Sequence, residues 1–247
     1  MRRASRLVTT GCLTILIALI IVLGVVVSWL WYRHWHDGKV NSERSEKAFA
    51  LIRKQARATA DDTARALGTS GTNDADALTG VIWQHSRAPV IAYDASRREF
   101  TATAASSARY DHAVVLPGGG PVQVTRCFVF TYTHHPSQAW TSRVSERDDD
   151  VCRPGTVIGG LVRLARTRIS GMYAEDLTRA GVQKALDPTG RLRFYDVKSA
   201  VRRADTVTVS ILLSSPDTTV GQCYRFTRPV PGDDGLGSAT AVPTSSC

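Results

Sequence analysis

The first feature of the hydrophobic pattern is a run without charge from Leu7 to Tyr32, 26 residues long. As a helix rising about 1.5 Å per residue it would reach roughly 39 Å, enough to cross a bilayer with some tilt. Arg2, Arg3 and Arg6 precede the run, the first acid is Asp37, and Trp29, Trp31, Tyr32 and Trp35 gather at its far end as an interfacial belt would. The pattern predicts a single-pass anchor with its N-terminus in the cytoplasm and everything beyond it outside. Arg33, Lys39, Arg44 and Lys47 follow closely, yet a long C-terminal domain translocates largely regardless of such charges. A cleaved signal peptide would carry a core of roughly 7–15 apolar residues, much shorter than this one, so an uncleaved anchor is favoured. Cys12 stands at the start of the run and not after it, which suits a buried thiol better than a lipid attachment point.

Beyond a linker over 33–41 the period changes. Ala48, Ile52, Ala56, Ala60 and Ala64 recur every fourth position, widened by Phe49, Leu51 and Leu67. They predict a helix from about Ser42 to Gly68 with one buried face. The polar stretch from Gly68 to Asp76 reads as loop. Short segments rich in β-branched and aromatic residues then predict strands near 81–83, 89–93, 100–104 and 112–116. After a Gly/Pro connection, the clearest alternation runs from Val122 to Tyr132. A second helical pattern, between about 156 and 186, carries Leu161, Leu164, Ala165, Ile169, Met172 and Leu177. A turn at Asp187-Pro188-Thr189-Gly190 follows, and Val207, Val209, Ile211 and Leu213 alternate as a strand ahead of Cys223.

Helix, strands and cysteine thus occur twice in the same order. Val124-Thr125-Arg126-Cys127-Phe128-Val129-Phe130-Thr131 aligns without a gap on Val220-Gly221-Gln222-Cys223-Tyr224-Arg225-Phe226-Thr227, which sets Val114-Val115-Leu116 on Ser210-Ile211-Leu212. The expected fold class is α+β: one transmembrane helix, then an extracytoplasmic helix-plus-antiparallel-sheet region made of two similar subdomains. The expected divisions are 1–6 cytoplasmic, 7–32 anchor, 33–41 linker, 42–152 first subdomain and 153–247 second.

Four cysteines, Cys127, Cys152, Cys223 and Cys247, lie beyond the anchor, and an even number there predicts two disulfides. Separations of 25 and 24 residues favour Cys127 with Cys152 and Cys223 with Cys247. No CxxC or Cys-His spacing points to zinc.

Composition narrows the classes. With 43% hydrophobic and 21% charged residues, wholesale disorder and a polytopic membrane protein are excluded. The net charge of +9 is uneven: residues 37–152 balance 14 basic against 14 acidic side chains, whereas 153–203 hold 11 basic against 4 acidic. Arg163, Arg166 and Arg168 on the second helix form a candidate basic surface for anionic headgroups or envelope polymers. No aromatic residues interleave with them, and nucleic acid is not an expected partner.

No GxSxG, HExxH, P-loop or GxGxxG pattern occurs, and Cys127 lacks the Thr-Leu-x-Thr-Cys context of a sortase nucleophile. No catalytic residue, metal ligand or cofactor is expected. His112, His134, Asp94 and Asp111 are the groups that an enzyme here would have to gather in one cleft. His134-His135 and Asp148-Asp149-Asp150 flank an expected strand over 138–145 and would suit a divalent cation if a hairpin joined them, but read as hydrophilic turns. Trp83 and Trp140 are expected in the core; exposed, either would make a ligand platform.

The function these features imply is non-enzymatic binding or scaffolding at the cell membrane. Its partners would be the membrane, other envelope proteins or anionic envelope polymers. The alternatives are an envelope hydrolase or transferase without a recognisable motif, and an assembly component of a secretion or conjugation apparatus, whose single-anchor factors are similar in architecture alone.

Overall fold

The computed structural model describes residues 2–113, 119–135, 139–191, 193–230 and 237–247, with side chains from residue 15 onward. The architecture is α+β. Two antiparallel sheets, each of four strands in the order β1-β2-β3-β4 or β5-β6-β7-β8, combine with helices that precede and separate them. The chain divides into two compact units, Met1–Leu51 with Ala108–Val124, and Ile52–Ser107 with Thr125–Cys247.

Helix α1 runs from Arg2 to Thr69. The segment 33–41, expected as a linker, is therefore helical. It contains one glycine and no proline, and a lone glycine costs a helix only about 1 kcal/mol relative to alanine, too little to break it. Near the N-terminus α1 is long and apolar enough to cross a membrane, and its apolar side chains from Ile15 to Leu30 are exposed.

In the first unit, two side chains of α1 meet the end of β2 (Glu99–Asp111) and the residues just past it. The Asn41 side chain donates to the Ala113 carbonyl at 2.7 Å and accepts from the Ala113 N–H at 2.8 Å, as a neighbouring strand would. Arg44 donates to the Asp111 carbonyl beside it at 2.7 Å. The strand expected over 112–116 has its last three residues outside the described ones, and β2 stops at Asp111.

In the second unit, the four-residue stripe of α1 is buried as expected at Ile52, Ala56, Ala60, Ala64 and Leu67. This stretch lies beside β4 (Thr141–Arg147): Arg53 donates to Glu146 at 2.8 Å and Ser142 donates to Asp61 at 3.0 Å. Residues 81–83, expected as a strand, belong to α2 (Ala75–Ser86). Asp74 caps that helix by accepting from the Ala77 N–H, and Leu78 and Ile82, four apart, bury one face. The cap and the spacing override the local β-propensity of Val-Ile-Trp.

The expected helix over 156–186 is two helices. α3 (Asp149–Ser170) begins earlier than Pro154 and Gly155 suggest, its first turn carrying Asp149 and Asp150 at the positive end of the helix dipole. Gly171 ends it by donating back to the Thr167 and Arg168 carbonyls, and α4 (Arg179–Leu186) follows. Ile158, Ala165 and Ile169 from α3, with Val182 and Leu186 from α4, bury against alternate residues of the second sheet. These are Tyr195 and Val197 of β5 (Tyr195–Arg203), Val207, Val209, Ile211 and Leu213 of β6 (Thr206–Ser214), and Tyr224 and Phe226 of β7 (Gly221–Pro229).

The two sheets interlock around β1 (Val90–Asp94). Buried Gln222 of β7 accepts from the Ile91 N–H at 2.7 Å and donates to the Thr244 carbonyl at 2.8 Å. Tyr224, two residues on, donates to the Pro89 carbonyl at 2.7 Å. Helix α2 joins the second sheet as well. Asp76 accepts from the Ser245 N–H at 2.9 Å and its hydroxyl at 2.6 Å, and pairs with Arg225 at 2.9 Å. Partial burial alone would raise that carboxyl, but the Ser245 bonds and Arg225 outweigh it and hold the pKa below its ordinary value.

Both predicted cysteine pairs are disulfide-bonded. Cys127 of β3 (Pro121–Thr133) joins Cys152 in the first turns of α3, Cα atoms 5.6 Å apart. Cys223 of β7 joins Cys247, just past β8 (Thr240–Thr244), at 5.4 Å. Each closes a loop worth about 3 kcal/mol in the chain-entropy model.

Two stability changes follow from these contacts. Gln222→Leu strands the Ile91 N–H and the Thr244 carbonyl, and should cost about 2–6 kcal/mol, since each buried orphan costs about 1–3. Urea unfolding of the full chain in detergent measures it, and a loss below about 0.5 kcal/mol would show that the amide does not hold the sheets together. Cys247→Ser should cost about 3 kcal/mol in an oxidised sample and nothing in a reduced one. A variant that melts with the oxidised parent would contradict the second pairing.

Candidate functional site

Of the three arginines picked out on α3, the structure separates one from the other two. Arg168 turns toward α4 and donates to the Ala185 and Leu186 carbonyls at 3.0 and 2.8 Å, capping that helix's C-terminal end. Arg163 and Arg166, three residues apart and so on one helical face, are exposed and border a groove of about 620 Å³. Two residues not picked out as cationic partners complete its rim. Trp83, on α2, and Arg87, four positions later, also line it, the Arg87 guanidinium carbon lying 4.8 Å from the Trp83 ring centroid.

The floor comes from both sheets. Pro89 lies ahead of β1, Tyr224 stands on β7, and Ala239, Thr240, Ala241 and Val242 bring in the start of β8. One glycine of α3, Gly155, lets Pro89 approach, whereas a side chain at Gly159 would make only ordinary contact. A Cβ at Gly155 would meet its ring at 3.1 Å, and one at Gly159, itself in the groove wall, would meet it at 3.7 Å. Burial raises the Tyr224 phenol, so this floor residue stays neutral while it holds the Pro89 carbonyl. Among the described residues that line the groove, the charged side chains are all basic. None of the ion pairs among the described residues engages Arg87, Arg163 or Arg166. An apolar floor under three guanidinium groups suits an occupant with both apolar surface and negative charge.

Arg87 takes up an uncommon backbone conformation to reach this place. It closes α2 in the left-handed region, φ 54° and ψ 22°, where helices usually place glycine or asparagine, with its N–H bonded to the Trp83 carbonyl.

A second cleft, about 330 Å³, is lined by Asn73, Leu78, Tyr93, Arg98, His134 and Trp140. Trp140 packs 5.8 Å from Phe100 and 5.0 Å from His134, so it is a partly buried member of an aromatic cluster that Tyr93 extends to the surface. Of the four groups an enzyme would need to gather, the cleft contains His134. Asp94 instead binds its own turn, accepting from the Ser96 hydroxyl and N–H and the Arg97 N–H, and the Ser96 hydroxyl is what most lowers its pKa. Asp111 and His112 belong to the first unit.

The idea of a cation held between His134-His135 and Asp148-Asp149-Asp150 fails on strand direction. Thr133 pairs with Thr141 and Cys127 with Arg147, so the histidines follow β3 at one end of β4 and the aspartates follow β4 at the other. Seven extended residues at about 3.3 Å each hold them roughly 23 Å apart. No cluster of three or more His, Cys, Asp or Glu side chains able to hold a metal occurs among the described residues.

Reading Trp83 and Arg87 as a pair required seeing α2 as a helix. The signal was present in the Asp74 cap and in Leu78 and Ile82, which place 83 and 87 on one face. Strand β8 had no such signal, since its Ala-Val-Pro core lacks a clear alternation. Comparison with protein-family models, with curated proteins and with solved structures gives no match for this chain.

Proposed function

We propose that the chain is a single-pass membrane protein whose disulfide-bonded C-terminal region lies outside the cytoplasm and binds or scaffolds another component of the cell envelope. The observation that carries this reading is the exposed apolar face of α1: from Ile15 to Leu30 its large apolar side chains have no protein to bury them. Each such side chain gains about 1.5–3 kcal/mol on leaving water, so a bilayer is the natural solvent for this stretch. The two disulfides support an oxidising compartment for the rest. The groove supplies a binding surface with a chemical preference. Under this reading 42–152 and 153–247 are similar subdomains, because in each a four-stranded meander has its third strand tied by a disulfide to the chain just beyond its fourth.

An enzyme working in the second cleft would rest on His134 and Tyr93, with no carboxylate among the described residues that line it. Binding is therefore the reading the geometry favours.

The topology is testable in cells expressing the full chain. The protein should remain in the membrane pellet after alkaline carbonate extraction, and protease added to intact wall-stripped cells should digest the region after Trp35. Release by carbonate would remove the anchor, and full protection of the C-terminal region would reverse the orientation.

A further inference from the structure

We propose that the groove between α2 and α3 binds an acidic, partly apolar peptide segment of a partner protein, held in extended form beside β8. The proposal rests on the preceding reading only for where the partner is met; the groove chemistry stands on its own residues.

Charge complementarity is the first support. Arg87, Arg163 and Arg166 engage in none of the ion pairs among the described residues, so their charge is available to an occupant. Planar guanidinium groups pair with carboxylates through two parallel bonds. Two of the three come from α3 and one from the end of α2, so they converge from both walls.

The backbone gives the second. Among the described strands β8 is outermost in its sheet, beside β7, and although α2 packs against β8, exposed Thr240 and half-buried Val242 still line the groove. An extended peptide gains main-chain bonds from such an edge, with side chains alternating between floor and rim. A lipid tail gains nothing from it and would need an enclosed slot, whereas this groove is open and floored in part by the polar edge of β8.

The third support is the turn that ends α2. Arg87 ends α2 in the left-handed conformation common at helix C-termini, at a backbone cost on the order of 1 kcal/mol for a non-glycine residue. Here the left-handed turn carries the Arg87 side chain onto Trp83 at the groove wall.

The test uses the full chain in detergent micelles and a fluorescein-labelled short peptide of alternating Glu and Leu, followed by fluorescence anisotropy. The Glu-Leu peptide should bind, and bind more weakly as salt is raised. Peptides with Gln or Lys in place of Glu should bind at least tenfold more weakly, and so should a Glu-Leu peptide N-methylated at alternate residues. R163E/R166E should lose at least tenfold in affinity, while R202E/R203E, on exposed arginines of β5, should match the parent. Val162→Asp, which puts a negative charge in the groove wall, should also weaken binding if either arginine variant folds poorly. Equal binding of the Gln and Glu peptides, or no effect of R163E/R166E, would overturn the proposal. Indifference to N-methylation would overturn the strand-edge geometry. Binding to phosphatidylglycerol vesicles but not to the peptide, abolished by R163E/R166E, would assign the groove to a lipid surface instead. Because the protein is purified, failure here is distinguishable from failure of the topology experiment in cells.

Discussion

Two side chains of one strand fix the position of a main-chain segment from the other sheet, and much else is arranged around that tie. Gln222 takes the Ile91 N–H and Tyr224 takes the Pro89 carbonyl, both across more than a hundred residues of sequence. A buried amide that satisfies three backbone groups at once is costly to replace, because every alternative position for β1 leaves some of them unpaired. With 89 to 91 fixed, Pro89 meets α3 where Gly155 makes room, and α3 in turn covers the second sheet. The groove exists because these constraints leave α2 and α3 standing apart over the same strands, with Pro89 and Tyr224 as the floor between them.

The arginines show how one residue type is divided by geometry. Arg168 and Arg228 are spent on helix ends: the first caps α4, and the second, buried beneath α3, donates to the Ile169 carbonyl at 2.8 Å. Burial lowers the Arg228 pKa, a cost accepted for closing a helix end inside the core. Arg53 and Arg126 meet Glu146 on the first sheet, and Arg225 meets Asp76. Among the described residues no ion pair engages Arg87, Arg163 or Arg166. The positive excess over 153–203 is thus part architecture and part surface.

What the sequence made legible follows from how local each signal was. The apolar run, the fourfold stripe of α1, the alternation in β6 and the cysteine pairs are each carried by residues close in the chain or by spacing alone and appear in the structure as expected, while the alternation of β3 holds from Phe128 onward and Val122 is exposed. Val81-Ile82-Trp83 has strand composition, while the cap that starts α2 lies seven residues earlier at Asp74. The gapless alignment of the two halves met a different obstacle. Leu212 pairs with Cys223 in the second sheet, but the matching residues 114–116 lie past the end of β2 and outside the described residues. Strands β2 and β3 span thirteen residues each and β6 and β7 nine, so the first hairpin is a longer arm than its counterpart. The groove was not legible at all, since its walls come from α2, α3 and β8, elements brought together by Gln222, Tyr224 and Asp76.

A groove with an exposed cationic rim and a partly buried apolar floor separates two tasks. Exposed guanidinium groups lose little solvation on meeting an acid, so they attract from a distance of about one Debye length, roughly 8–10 Å at physiological salt, and are weakened as salt rises. They select for charge and speed encounter, but hold weakly by themselves. The apolar lining acts only on contact, through Trp83 at the rim, Val162 in the wall and Pro89 in the floor, and its contribution does not depend on salt. Residues that attract are therefore distinct from residues that retain, and Arg87 is the one side chain that serves both, its charge at the rim and its guanidinium face stacked on the tryptophan. The left-handed turn that ends α2 is what allows a single residue to reach both places.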